Sequence, residues 1–115
     1  MNLLEETIED IHLGGHKPKD IVFIGSESGF SCTWEEYKKL ADCYYDSGYG
    51  AQKVASDLII VFSDGSTMWR HEYDGSEAWH YSYPFKIPKE TKKIKSLFVP
   101  SDCVGWMDLA EINAE

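Results

Sequence analysis

The stretch RHEYDGSEAWHYSY, from Arg70 to Tyr83, places two histidines, three acidic residues, an arginine and four aromatic residues within fourteen positions. Neighbouring histidines are able to bind zinc or to act as an acid–base pair, because imidazole titrates near neutral pH and ligates metals. The three carboxylates are candidates for general acid–base work. However, Asp74 is better explained as a turn residue, and Glu72 and Glu77 are better explained as solvated side chains.

The two histidines lie in a segment that the sequence predicts to be a β-hairpin. An Asp-Gly turn at 74–75 separates two β-prone runs. A two-residue loop there would place Glu72 directly opposite Glu77, and like charges in such a pair repel each other. We therefore expect a four-residue loop, which would pair His71 with His80.

The two registers agree on which side chains share a face, because side chains alternate along a strand. His71 and His80 share one face in either register, so a zinc site or a small metal-dependent hydrolase at this pair is one hypothesis. The pattern supplies no third ligand, so no metal, cofactor or catalytic residue is assigned. Arg70 falls on the opposite face with Trp79 and Tyr81, where we expect its guanidinium to stack on an aromatic ring.

Further strands surround this hairpin. DLIIVF, from Asp57 to Phe62, is an unbroken apolar run that is typical of a strand buried on both faces. A two-residue Asp-Gly loop after it would pair Ile60 with Trp69. DIVFIGS (Asp20–Ser26) and KIKSLFV (Lys93–Val99) predict two more strands, the second at a sheet edge, where lysines deter unwanted pairing.

Capping residues mark two helices. Asn2 and Thr33 each precede a glutamate by three residues (Glu5 and Glu36), and apolar residues then recur at helical spacing. A shorter apolar pattern near the C-terminus predicts a third helix. Together these elements predict a single α+β domain over residues 1–115, with an antiparallel β-meander of about four strands packed against two to three helices.

The charge of the chain limits its partners. There are 20 acidic and 11 basic residues, which give a net charge of −9. Such a chain is repelled by phosphates, so direct nucleic acid binding is not expected, whereas a basic protein surface attracts it. No apolar run is long enough to span a membrane. The first residues lack the basic and apolar regions of a signal peptide, so a cytoplasmic location is expected.

Three separated cysteines without a CxxC pair indicate reduced thiols. Cys32 precedes the N-terminus of a predicted helix, which favours a thiolate, so it is the best candidate for a reactive thiol. Cys43 lies among the apolar residues of that helix and is expected in the core.

Three motifs resemble those of a protein family. YDSGYGAQ (Tyr45–Gln52), DLIIV (Asp57–Val61) and HEYDGSE (His71–Glu77) are similar to segments of small uncharacterised proteins encoded by phages and prophages of Gram-positive bacteria. Ala78 departs from the family pattern, in which a bulky aromatic residue is expected. The resemblance implies a phage setting, the cytoplasm of the host bacterial cell and an α+β domain, and it carries no catalytic assignment.

The leading functional hypothesis is an acidic phage accessory protein that is not an enzyme. It would bind and inhibit a host nucleic-acid-handling protein, as anti-CRISPR and other anti-defence inhibitors do, with carboxylates occupying a groove built for phosphates. The candidate contact residues are acids of the N-terminal half and aromatics of the meander: Glu5, Glu6, Glu9, Asp10, Glu27, Glu35, Glu36, Asp42, Asp46, Trp79, Tyr81 and Tyr83. The alternatives are the metal site at His71 and His80, and a non-inhibitory interaction or assembly protein such as a homodimer.

Overall fold

The structure, a computed structural model, describes residues 2–45, 53–73, 76–82, 87–100 and 107–114, and for 71–73, 76–77 and 81–82 it describes the backbone alone. Its elements in chain order are α1 (Leu3–Leu13), a 3-10 turn (Pro18–Asp20), β1 (Ile21–Gly25), β2 (Phe30–Ser31), α2 (Trp34–Ala41), β3 (Ile59–Phe62), β4 (Thr67–Tyr73), β5 (Ser76–Ser82), β6 (Lys92–Lys93) and α3 (Leu109–Ile112). The class is α+β, as predicted, but the sheet has six strands rather than about four.

The strands form one mixed sheet in the order β5-β4-β3-β1-β2-β6. All neighbours are antiparallel except β2 and β6, which run parallel. Every residue of β3 is buried between β1 and β4, which confirms the central strand predicted from DLIIVF. The meander of β3, β4 and β5 is confirmed as well.

The β3–β4 hairpin is shifted by one residue from the predicted register. Ile60 pairs with Met68 rather than with Trp69. The reason is a loop of three residues, 63–65, that ends at Gly65 with a φ of 91°, a conformation that glycine adopts without strain. The odd loop length moves Trp69 to the other face of the sheet. There it packs against a second apolar cluster of Phe23, Ile59 and Val61.

The β4–β5 hairpin has the register that charge repulsion argued against. Glu72 pairs with Glu77, and His71 pairs with Ala78 rather than with His80. Repulsion between opposed like charges costs only some tenths of a kcal/mol up to about 1 kcal/mol. The ladder in this register has seven residue pairs, so one unfavourable pair does not decide the register.

The sheet edge near β2 and β6 differs most from the prediction. β6 lies at the edge, as predicted, but it is only two residues long instead of extending to Val99. The short strand β2 is not among the strands that the sequence predicts. Gly25 permits the tight β1–β2 connection, because a Cβ atom at that position would lie 1.8 Å from the carbonyl oxygen of Phe30.

The helices pack together on one face of the sheet. Both predicted N-caps are confirmed: the Asn2 side chain accepts from the Glu5 N–H at 3.0 Å, and Thr33 and Glu36 form a reciprocal capping box. Helix α2 stops at Ala41, and Tyr44 beyond it is 74% exposed. The core contains α1 and α2 residues together with the sheet residues Ile24, Ile60, Phe62, Met68 and Trp79.

Candidate functional site

Two of the predicted contact residues lie one turn apart on the outer side of α1. Glu5 and Glu9 are both exposed, and like charges at i and i+4 of a helix repel by roughly 0.2–0.5 kcal/mol. Among the residues that the structure describes, neither forms an ion pair. We call these two residues the acidic face of α1 (Glu5, Glu9). This face displays two negative charges that no ion pair within the described residues neutralises.

The pKa of Asp10, on the next turn of α1 after Glu6, is raised above its usual value. Burial is the largest cause that raises its pKa, and the charges of Glu6 and Glu9 raise it further, whereas Arg70 lowers it. A proton on Asp10 is favoured because neighbouring carboxylates repel the ionised form. A cationic partner at this position would relieve the same repulsion.

Glu6 does not belong to the exposed surface that the sequence predicted. Its side chain is only 10% exposed and forms an ion pair with the fully buried side chain of Arg70, at 3.2 Å between Oε2 and Nη1. Tyr45 completes the cluster, because its hydroxyl accepts from Arg70 Nη2 at 2.9 Å and donates to Glu6. The guanidinium also lies 5.0 Å from the ring centroid of Trp79, which confirms the predicted stacking.

Thr7 lies next to this cluster and makes three hydrogen bonds with its hydroxyl. The hydroxyl donates to the Leu3 carbonyl at 2.7 Å, and it accepts from Trp79 Nε1 at 3.0 Å. Because its single proton is used, the 2.8 Å contact with Tyr37 means that the tyrosine hydroxyl donates. Arg70 and Trp79 on the sheet therefore hold α1 by its inner face and leave its outer face accessible.

The two glutamates of α2 are engaged within the fold. The Glu36 side chain accepts from the Thr33 N–H at 2.9 Å and forms an ion pair with Lys93. The hydrogen bond from Lys93 is the largest cause that lowers the pKa of Glu36. Glu35 forms an ion pair with Lys38 at 2.8 Å. Their charges are therefore partly neutralised, unlike those of Glu5 and Glu9.

The other predicted acidic contacts are scattered. Asp42 follows α2 and accepts from Asn2 Nδ2 at 3.0 Å, so it ties the end of one helix to the start of the other. Glu27 is exposed in the loop between β1 and β2. Asp46 lies outside the described residues. Among the predicted acids that the structure describes, Glu5 and Glu9 are thus two exposed residues that lie next to each other on one helix without an ion pair.

The prediction that Trp79 is an exposed anchor is wrong. Its side chain is buried in the core, where it pairs with Arg70 across the sheet and donates to Thr7. The alternation that places it opposite Arg70 also turns it toward α1, which covers that face of the sheet. The side chain of Tyr81 and the whole of Tyr83 lie outside the described part of the structure.

The predicted metal site at the two histidines is not decided by the structure. The His80 ring lies 5.8 Å from the Trp69 ring, so it covers an aromatic residue on its face of the sheet. The side chain of His71 lies outside the described residues. Among the side chains that are described, no group of three or more histidines, cysteines, aspartates or glutamates could hold a metal ion. The metal hypothesis therefore stays a prediction.

Both predictions about individual cysteines are wrong. Burial, and then the charge of Glu36, raises the pKa of the Cys32 thiol to about 12, so this cysteine is not a reactive thiolate. Proximity to a helix N-terminus is outweighed here by desolvation and by the neighbouring carboxylate. Cys43 is exposed rather than in the core, because α2 ends before it.

His16 and Asp64 form a pair that no pattern in the sequence indicated. Nε2 of His16 lies 2.8 Å from Asp64 Oδ2, and the imidazole ring stacks on Phe62 at 4.2 Å. The residues are 48 positions apart, so their spacing gave no signal. The pair connects the segment just before the 3-10 turn to the loop between β3 and β4.

Comparisons of the chain with protein-family models, with curated proteins and with solved structures found no match. Within the described part of the chain, none of the helices has the length and apolar character needed to cross a membrane.

Proposed function

We propose that this chain is a binding protein that uses the acidic face of α1 to occupy a basic, nucleic-acid-binding surface of another protein and thereby inhibits it. One observation carries the proposal. Glu5 and Glu9 are exposed, repel each other and form no ion pair with the described residues, and the helix that bears them is held at its inner face by Arg70 and Trp79. Carboxylates on a rigid helix can take the positions of backbone phosphates in a basic groove, and the electrostatic attraction steers the encounter.

The rigidity of α1 supports this proposal. Arg70 and Trp79 hold the inner face of the helix through buried contacts. The carboxylates therefore start from a fixed backbone, which lowers the entropic cost of binding. The net charge of −9 favours the approach to a basic surface and opposes contact with a nucleic acid itself.

The setting follows from the sequence resemblance and is part of the same proposal. A phage origin would make the partner a protein of the bacterial host, located in the cytoplasm, and the inhibition would be of the anti-CRISPR or anti-defence type. The proposed partner class is a host protein with a positively charged, phosphate-binding groove. We assign no catalytic residue and no cofactor to this role.

The test is affinity capture from a lysate of a Gram-positive bacterium, followed by mass spectrometry. The baits are the unchanged chain, the variant Glu5→Gln/Glu9→Gln, and the control Glu90→Gln/Glu111→Gln, which removes the same charge from exposed acids outside α1. We expect a nucleic-acid-binding protein to be enriched by the unchanged chain and the control, and to be lost with the α1 variant. Equal enrichment by all three baits would show that the acidic face is not the contact surface.

Inhibition needs a separate measurement with the captured partner. Its binding to a labelled nucleic acid is measured while the unchanged chain or the α1 variant is added. We expect the unchanged chain to displace the nucleic acid and the variant to do so only at much higher concentration. A partner that binds the chain and its nucleic acid together would contradict inhibition and favour a non-inhibitory assembly role.

A further inference from the structure

A groove lined by lysines opens at the β2–β6 edge of the sheet. Its volume is about 660 Å³, within the roughly 300–1,000 Å³ range of small-molecule sites. Although the chain has 20 acidic residues, none of the described residues that line this groove is acidic. We call it the lysine groove, and the lining residues that matter here are Lys92, Lys93, Lys95, Phe30, Ala110 and Ala114.

The backbone that carries the lysines is held from two sides. On the side of β2, the Ile94 N–H donates to the Ser31 carbonyl at 3.0 Å. On the side of α3, the buried Asn113 accepts from the N–H groups of Lys95 and Ser96 at 2.7 and 2.9 Å. Its amide donates back to the Ser96 carbonyl at 3.0 Å. The three lysines therefore start from a preorganised backbone, which lowers the cost of ordering them around a ligand.

Lys93 is already used by a carboxylate. Its ammonium forms an ion pair with Glu36, and the hydrogen bond between them is the largest cause that raises the pKa of Lys93. The ammonium remains largely exposed, so an entering anion could bind it. Such an anion would compete with Glu36 for the same charge.

We propose that the lysine groove binds a phosphorylated small molecule with an apolar or aromatic body, of which a nucleotide is the simplest example. Lysine ammonium groups bind phosphate oxygens as point charges. Phe30, Ala110 and Ala114 supply an apolar wall against which the body of such a ligand packs.

The charges around the groove favour a small ligand over a nucleic acid strand. Glu90 and Glu111 lie within two residues of its lining residues, and Glu36 contacts Lys93. A long phosphate backbone would have to pass these carboxylates and would be repelled by the net charge of −9. A small ligand is short enough to contact the lysines without extending past them.

The experiment is isothermal titration calorimetry of the full chain with three probes: ATP, inorganic triphosphate and a single-stranded oligonucleotide. The groove variant is Lys92→Gln/Lys93→Gln/Lys95→Gln. The control is Lys17→Gln/Lys19→Gln/Lys39→Gln, which removes the same charge from exposed lysines that do not line the groove. Circular dichroism checks that both variants are folded.

We expect ATP to bind the unchanged chain and the control alike, and the groove variant to lose at least about tenfold in affinity. Inorganic triphosphate should bind more weakly than ATP, because it lacks a body to contact the apolar wall. Glu36→Gln should bind ATP more tightly, because it releases Lys93.

Three results would overturn the proposal. The first is the absence of ATP binding to the unchanged chain together with absence of triphosphate binding. The second is an equal loss in the groove variant and the control, which would reveal only a general effect of net charge. The third is an oligonucleotide that binds more tightly than ATP and depends on the groove lysines, which would identify a nucleic acid site instead.

Discussion

The acidic face of α1 and the lysine groove carry opposite charges. In each region, side chains that are not part of the exposed charged surface hold the backbone in place. Behind α1, the fold neutralises Glu6 with Arg70 and leaves Glu5 and Glu9 on the outside. Behind the groove, a neutral amide and backbone hydrogen bonds hold the chain. Glu36 also forms an ion pair with Lys93.

Charge therefore has a structural role behind α1, whereas a neutral side chain has that role behind the groove. In α1 a buried charge pair positions the helix, so its loss should affect the whole fold. In the groove the Asn113 side chain positions the segment that follows the edge strand β6, so its loss should act locally. Stability measurements can therefore separate the two regions without knowledge of a partner or ligand.

The largest expected effect is that of Arg70→Ala. Removing one partner of a buried ion pair leaves the other charge uncompensated, and it typically costs about 3–5 kcal/mol. We expect a loss of this size in the free energy of unfolding, measured by denaturant titration. Lys38→Ala is the control, since it breaks only the exposed pair with Glu35 and should cost roughly 0–1 kcal/mol. Equal losses in the two variants would contradict the role of the buried cluster.

A smaller effect is expected for Asn113→Ala at the groove. It leaves the N–H groups of Lys95 and Ser96 without their acceptor, and an unsatisfied buried donor costs about 1–3 kcal/mol. Hydrogen exchange should show lost protection at these two amides while α1 stays protected. Asn113→Asp retains the acceptor but replaces the amide donor by an oxygen that faces the Ser96 and Leu109 carbonyls, so it should restore that protection only in part. A loss of protection throughout the protein would contradict the local role of Asn113.

Glu9→Lys should increase the stability of the protein, whereas the two previous variants should decrease it. It converts the Glu5–Glu9 repulsion into an attractive i, i+4 pair, and each such change is worth about 0.2–0.5 kcal/mol. We expect a slightly more stable protein that no longer captures a basic partner. Glu90→Lys carries the same charge change outside α1 and should retain capture. If the Glu9→Lys variant is more stable and still captures the partner, the acidic face of α1 is not the contact surface.

The smallest expected effects are those of acid titration at two aspartates. As the pH falls, protonation of Asp64 should lower the stability of the fold, and protonation of Asp10 should raise it. Hydrogen bonds from Ser66 are the largest cause that lowers the pKa of Asp64 to about 2, from 3.8. Its contribution is thus present above the unfolded value and lost as the pH falls toward about 2. The pKa of Asp10 is raised, so the folded state gains stability as the pH falls through that value.

Acid unfolding followed by circular dichroism distinguishes these two contributions. Asp64→Asn should flatten the loss of stability between about pH 4 and pH 2, whereas Asp10→Asn should remove the gain on the way down from neutral pH. The same acid profile for both variants would contradict the different surroundings of the two carboxyl groups.

The local pattern of the chain predicts the fold class but not the register of its hairpins. The central position of β3 and the caps at Asn2 and Thr33 depend on neighbouring residues, so the sequence reveals them. The position of Trp69 depends on whether a loop has two or three residues, and a single residue inverts the face. The φ of Gly65 decides this, and the dipeptide alone does not specify it.

The candidate surfaces are only partly visible in the sequence, for a related reason. Glu5 and Glu9 were among the predicted contacts because acids at helical spacing are a local feature. Glu6 and Trp79 were predicted to be exposed, but their burial depends on Arg70, which is 64 positions from Glu6. The lysines of the KIKSLFV segment can be read from the sequence. The groove itself forms only because residues of α3 and β2 lie next to β6 in the fold.

The most direct test of the central claim is the salt dependence of partner capture by the unchanged chain and by Glu5→Gln/Glu9→Gln. If the acidic face of α1 replaces phosphates in a basic groove, the captured protein should be abundant at low salt, decline steeply as salt rises, and be scarce with the variant at every salt concentration. A partner retained equally by both chains, with no dependence on salt, would contradict the account.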